Sequence, residues 1–176
     1  VPERLTSRGF ARGVRRWVDW LDWIPPAAWH HEHDLRHHPR TGEVEDPDLV
    51  ERNLEFLRES TIPRPLRWVV VLLVASLWKP MYYAPSTVLE LREAEQARGV
   101  DPGYRLPART IRAINPFSRF FLDVATLSLA PYAGIQFVLI PALFLPLGWT
   151  ASLHVLAASL LAELLTNLHT FAVIAV

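Results

Sequence analysis

Residues 30–38 read His-His-Glu-His-Asp-Leu-Arg-His-His and hold five of the chain's seven histidines. Imidazole nitrogen is the commonest metal ligand in proteins, and neutral histidine suits iron, copper, zinc and nickel. On an ideal helix, at about 100° per residue, His30, His33 and His37 fall in one stripe and His31 and His38 in a second. The five span an arc of roughly 160° with Asp34 inside it, while Glu32 and Arg36 lie on the other face. Two such stripes could serve two adjacent metal ions, with further ligands from elsewhere in the fold. The bland alternative is a solvated polar helix or a pH-sensitive surface. Five histidines in nine residues favour metal binding, and the interleaved Glu32, Asp34, Leu35 and Arg36 exclude an expression tag. The chain has no cysteine, so thiolate zinc sites, iron–sulfur clusters, disulfide scaffolds and cysteine nucleophiles are excluded.

The elements that carry these histidines emerge from the charge distribution. Lysine plus arginine and aspartate plus glutamate number 18 each in 176 residues, for a net charge of zero. Residues 1–123 carry 35 of the 36 charged side chains, and only Glu163 lies beyond them. A membrane span needs about 20 apolar residues, so the 39 uncharged residues between Asp123 and Glu163 leave room for two. Spans are expected over 121–145 and 151–173, with the turn at Pro146-Leu147-Gly148. Arg105, Arg109, Arg112 and Arg119 precede the first span and place its start in the cytoplasm by the positive-inside rule. The near-zero net charge offers no long-range attraction to nucleic acid.

The remaining elements read as follows. Phe10, Val14, Trp17, Leu21 and Ile24 recur at helical spacing, with Trp17, Trp20 and Trp23 alongside. A membrane-surface helix and an ordinary amphipathic core helix both fit, ended by Pro25 and Pro26. Residues 46–59 suggest a helix capped by Asp46. Residues 66–83 are apolar but interrupted by Lys79, which fits a re-entrant or interfacial segment. Residues 87–98 suggest a helix with a Thr87/Glu90 capping box and a stop at Gly99. Glu163, Asn167, Thr166 and Thr170 share one face of the second span, and Glu163 is expected to have a buried partner. His169 lies near the cytoplasmic end of that span, where interhelical hydrogen bonding competes with ligation. His154, near the outer turn, reads as structural.

The run from Trp29 to Pro39, followed by Thr41-Gly42-Glu43 and Asp46-Pro47-Asp48, resembles the second histidine box of the membrane fatty acid desaturases. The box has the form H-x-x-x-H-H at His33, His37 and His38; Asp34 stands where such boxes often carry Asn. The stretches Trp78–Pro85 and Glu163–His169 are similar to bacterial members. The resemblance implies an all-α integral membrane protein: a cytoplasmic histidine-bearing portion (1–65), the interrupted segment (66–83), a second cytoplasmic portion (84–120) and a transmembrane hairpin (121–176). It implies two non-haem iron ions and O2-dependent desaturation of a lipid acyl chain. Electrons would come from a ferredoxin-like or cytochrome b5-like donor, in a bacterial inner membrane. His33, His37 and His38 become iron ligands, with His169 a candidate fourth. His30, His31, Asp34, Asn167 and Glu163 become supporting or spare groups. The first and third boxes would lie before residue 1 and after residue 176, so the chain is expected to be a fragment, inactive alone, whose partner ligands are missing. Rival readings are a histidine-box lipid hydroxylase or oxygenase, and a non-enzymatic metal-handling or transport subunit.

Overall fold

A computed structural model of the chain describes residues 13–18, 22–47, 57–108 and 115–175. All regular structure among them is helical. Phe10, Trp20 and Leu21, most of the expected helix at 46–59, Arg109 and Arg112 lie outside the described residues. At the start, a 3-10 turn at Gly13–Trp17 replaces the expected amphipathic α-helix within the described part. Its Arg16 is buried, and the guanidinium donates to the backbone oxygens of Leu127 and Asp22. Anchoring one short turn to a distant element in this way satisfies backbone acceptors that a longer helix would not reach.

Helix α1 covers 26–40. Pro26 suits its first turn, where the missing N–H is no loss. After Pro26–Trp29 the backbone widens into π-helical turns over His30–His37, with the His38 N–H donating to His33 O. A 3-10 turn at His38–Arg40 ends it. Helix α2, Arg64–Ser76, breaks at Leu77 (φ −116°, ψ 25°). Wide turns at Lys79–Tyr83 lead into α3, Ala84–Ala97. Helix α3 therefore starts before the expected capping box. Thr87 sits inside it, its hydroxyl donating to Tyr83 O at 3.0 Å, while Glu90 is buried and accepts from Arg36. The predicted stop holds: Gly99 has φ +84°, its N–H bonds Gln96 O, and the Val100 N–H bonds Glu95 O, a Schellman motif.

Helix α4, Arg119–Leu147, and helix α5, Trp149–Ala175, match the two expected spans. Ser118 caps α4 by accepting the Phe121 N–H at 3.1 Å. Gly148, at φ +105°, makes the turn between them, a conformation glycine adopts without a Cβ clash. Only 22% and 17% of their most apolar windows are buried, so these are not core helices of a globular domain. At about 1.5 Å per residue, even the shorter exceeds the roughly 30 Å of a hydrocarbon core.

Four π-helical stretches occur among the described residues: His30–His37, Lys79–Tyr83, Ala125–Leu129 and Gly134–Leu139. Each ends two residues before a proline, at Pro39, Pro85, Pro131 and Pro141. Proline brings no N–H and its ring clashes with the carbonyl four residues back. Widening the preceding turn relieves that clash without ending the helix.

The core lies where α2, α3, α4 and α5 meet. Trp78 is fully buried there, stacked on Tyr82 with ring centroids 4.4 Å apart and edge-on to Phe171 of α5 at 5.0 Å. Trp23, Val88, Phe120 and Val124 complete the cluster. Helix α3 is its hub, packing against both α1 and α4.

Candidate metal centre

The wide turns of α1 decide which histidines meet. In an α-helix, residues five apart point about 140° away from each other. Here the rings of His33 and His38 lie 4.5 Å apart, centroid to centroid, and those of His33 and His37 lie 5.3 Å apart. His38 therefore joins His33 rather than pairing with His31 as a regular α-helix would have it. Ligand atoms of His33, Asp34 and His38 come within 4.8 Å of one another, the one such group among the described residues. Two imidazoles and a carboxylate suit iron, zinc or manganese better than calcium, which takes oxygen alone.

Supporting contacts hold the rings of His30, His33 and His37. Trp29 stacks on His33 at 4.2 Å, an interplanar angle of 25°. His30 Nδ1 lies 2.8 Å from Asp34 Oδ2 on the exposed face. His37 Nδ1 lies 2.9 Å from Asp46 Oδ1, and Asp46 is buried. The other oxygen of Asp46 accepts the Gly42 N–H at 2.8 Å, and Thr41 Oγ1 donates to His37 O at 3.0 Å. Gly42 has φ +78°, which lets the chain turn back so that residue 46 reaches residue 37. Asp46, expected as the cap of a helix whose first turn lies largely outside the described residues, is a histidine partner as well.

His31 faces α3. Burial pushes its pKa down, with Glu90 opposing and Arg36, Arg98 and His30 adding to the fall. Arg36 pairs with buried Glu90 and so ties α1 to α3. A cavity of about 230 Å³ lies under His33, walled by Trp23, Ile24, Trp29, Tyr83 and Thr87, with Glu32 at its edge and Thr170 closing it from α5.

The other predicted residues sit elsewhere. His169 and His154 are exposed on α5, and neither belongs to the His33 group. Glu163 and Asn167 form a separate polar knot with Lys79, the partner that sequence reasoning did not name. Glu163 accepts from Tyr132 OH at 2.5 Å and from Asn167 Nδ2 at 2.9 Å, and lies 3.4 Å from Lys79 Nζ. Asn167 Oδ1 accepts the Lys79 backbone N–H at 2.7 Å, satisfying a donor released by the break at Leu77. The signal was available: Lys79 is the chain's one lysine and interrupts an apolar run, as Glu163 does. The knot lines a second cavity, about 430 Å³, mostly apolar and bounded by α4 and α5. Trp23 borders both cavities.

The arrangement is a histidine and carboxylate cluster above a cavity with an aromatic and apolar wall, beside two helices of membrane-spanning length. No curated protein and no solved structure matches the chain. The sequence model described as "Fatty acid desaturase" matches residues 3–173, nearly the whole length, so the chain belongs to the fatty acid desaturase family.

Proposed function

We propose that this chain contributes His33, His37 and His38 to a non-haem di-iron centre that desaturates a lipid acyl chain with O2. Membership of the family makes the protein an oxidoreductase of lipid metabolism in general. The observation that carries the finer reading is the cavity under His33. Its wall of Trp23, Ile24, Trp29 and Tyr83 suits a methylene chain.

The donors fit iron: the ligand atoms of His33, Asp34 and His38 converge, and His37 stands beside that group, outside it, with its ring held by Asp46. When bound, the irons would supply the O2-dependent oxidising power that removes hydrogens from an unactivated methylene. The chain's own residues do the rest. Trp29 holds the His33 ring by stacking, Asp46 holds His37, and the Arg36–Glu90 pair fixes α1 over α3. His169 is proposed as a further ligand, one residue from Thr170 in the cavity wall. The arginines before α4 support a cytoplasmic position for the box in a bacterial inner membrane. A ferredoxin-like or cytochrome b5-like protein would deliver electrons there.

The same cluster and cavity suit a lipid hydroxylase. Mass spectrometry of lipids from cells expressing the full-length protein separates the two. Products lighter by two hydrogens support desaturation, and products heavier by one oxygen replace it with hydroxylation. Unchanged lipids, from protein shown to carry iron, refute both. A transport subunit is disfavoured because transporters gather their polar ligands at the membrane midplane, whereas these histidines lie on α1, outside both spans.

A further inference from the structure

We infer that Asp46 is the positioning residue for His37: it holds the imidazole with its proton on Nδ1 and so makes Nε2 the nitrogen offered to metal. The inference rests on the proposed ligand role of His37.

Three observations converge. His37 Nδ1 and Asp46 Oδ1 are 2.9 Å apart, and the Asp46 side chain is only 4% exposed. A buried carboxylate is acceptor-only when ionised, so the hydrogen between them belongs to the imidazole. Neutral histidine then carries its proton on Nδ1 and its lone pair on Nε2. Asp46 is itself held, because its second oxygen accepts the Gly42 N–H at 2.8 Å. The turn that delivers it is built for the purpose: Thr41 caps His37 O, and Gly42 takes a left-handed conformation. His30 and Asp34 form a similar contact at 2.8 Å, but both side chains are about half exposed, so solvent competes for that bond. Of these two pairs, the His37 pair is the one shielded enough to fix a tautomer.

A ligating histidine whose outer hydrogen-bond partner is removed typically loses about 10- to 100-fold in metal affinity. The test uses the full chain in detergent micelles, with Co2+ as the probe metal. Asp46→Ala is expected to weaken Co2+ binding by about 10- to 100-fold, with helicity by circular dichroism unchanged. Asp46→Asn keeps an oxygen that can accept from Nδ1 and is expected to recover part of the affinity.

A second readout is independent of metal. Long-range 1H–15N spectra of histidine-labelled, metal-free protein at alkaline pH report the tautomer of each ring. His37 is expected as the Nδ1–H form in the parent protein. In Asp46→Ala it is expected to shift toward the Nε2–H form that dominates in free histidine. An Nε2–H ring in the parent, or the same tautomer in parent and Asp46→Ala, overturns the inference, as does unchanged Co2+ affinity. If the tautomer responds but the parent binds no Co2+, the ligand role of His37 is what fails, and its orientation by Asp46 stands.

Discussion

The Lys79–Glu163 pair permits a quantitative test of how the apolar hairpin is held to the rest of the fold. The two side chains are 14% and 18% exposed and 3.4 Å apart. Removing one partner of a buried pair costs about 3–5 kcal/mol, because the remaining charge is stranded. Lys79→Met leaves Glu163 with the hydrogen bonds of Tyr132 and Asn167, which puts the cost near the lower end. Glu163→Leu leaves Lys79 with only the Thr166 hydroxyl at 3.1 Å and strands the Tyr132 hydroxyl, so the cost lies nearer the top. The double variant removes both charges and leaves mainly unpartnered Tyr132, worth about 1–3 kcal/mol. The singles then sum to about 8 kcal/mol, and the double variant is expected to lose about 5–7 kcal/mol less than that sum. Thermal unfolding in mild detergent, followed by near-ultraviolet circular dichroism, reads this directly. A chain of this size shifts by about 2–4 °C per kcal/mol, so each single variant should melt roughly 6–20 °C lower. Additive losses, or Lys79→Met melting with the parent, would refute the coupling.

Further outcomes follow from other contacts. In the full-length protein, His37→Ala is expected to abolish lipid modification in cells and to lower bound iron, measured by elemental analysis; retention of both would remove His37 from the ligand set. Trp78→Ala empties the most buried ring of the core and should cost about 3–5 kcal/mol, read in the same melting assay. Tyr104 is pushed up to about 12 by burial and by its hydrogen bond to Asp123. Its raised value contributes stability that is intact below pH 10 and is lost as pH climbs toward 12. In an ultraviolet titration, Tyr104→Phe should remove one phenol from those that ionise late. His31 is shifted the other way, chiefly by burial. Its contribution is intact above about pH 6.5 and declines as pH falls below that, so His31→Gln should flatten the acid side of the stability profile.

How much of this was legible beforehand depends on the range of each interaction. The spans needed only the charge gap between Asp123 and Glu163, a property of composition. Gly99 and Gly148 were legible as stops because positive φ is a local demand. The capping box at Thr87 was misread because a local motif cannot report that α3 continues backward through Lys79–Tyr83. The partner of Glu163 was out of reach of periodicity, since Lys79 lies on another segment. At the site, the box itself was plain, but its geometry was not. Placing His38 at 100° per residue set it beside His31; the wide turn before Pro39 set it beside His33. The contact between Asp46 and His37 was not legible, because nothing local says that Gly42 will turn the chain back.

The proline two residues beyond the last turn of histidines has a consequence for the motif as a pattern of spacing. In H-x-x-x-H-H, the fourth and fifth positions after the first histidine cannot both be its neighbours on a regular α-helix, yet both rings are neighbours of His33. The box is thus a statement about chain length more than composition. Leu35, exposed and chemically idle, matters as one residue of count. Deleting it would place the two histidines three and four residues after His33, spacings that a regular α-helix already brings to one face, so the rings would meet without the wide turn; exchanging it for another residue keeps both the count and the need for that turn. Grafting the six residues onto an ideal helix would transfer the letters without the arrangement, unless the following Pro39 went with them.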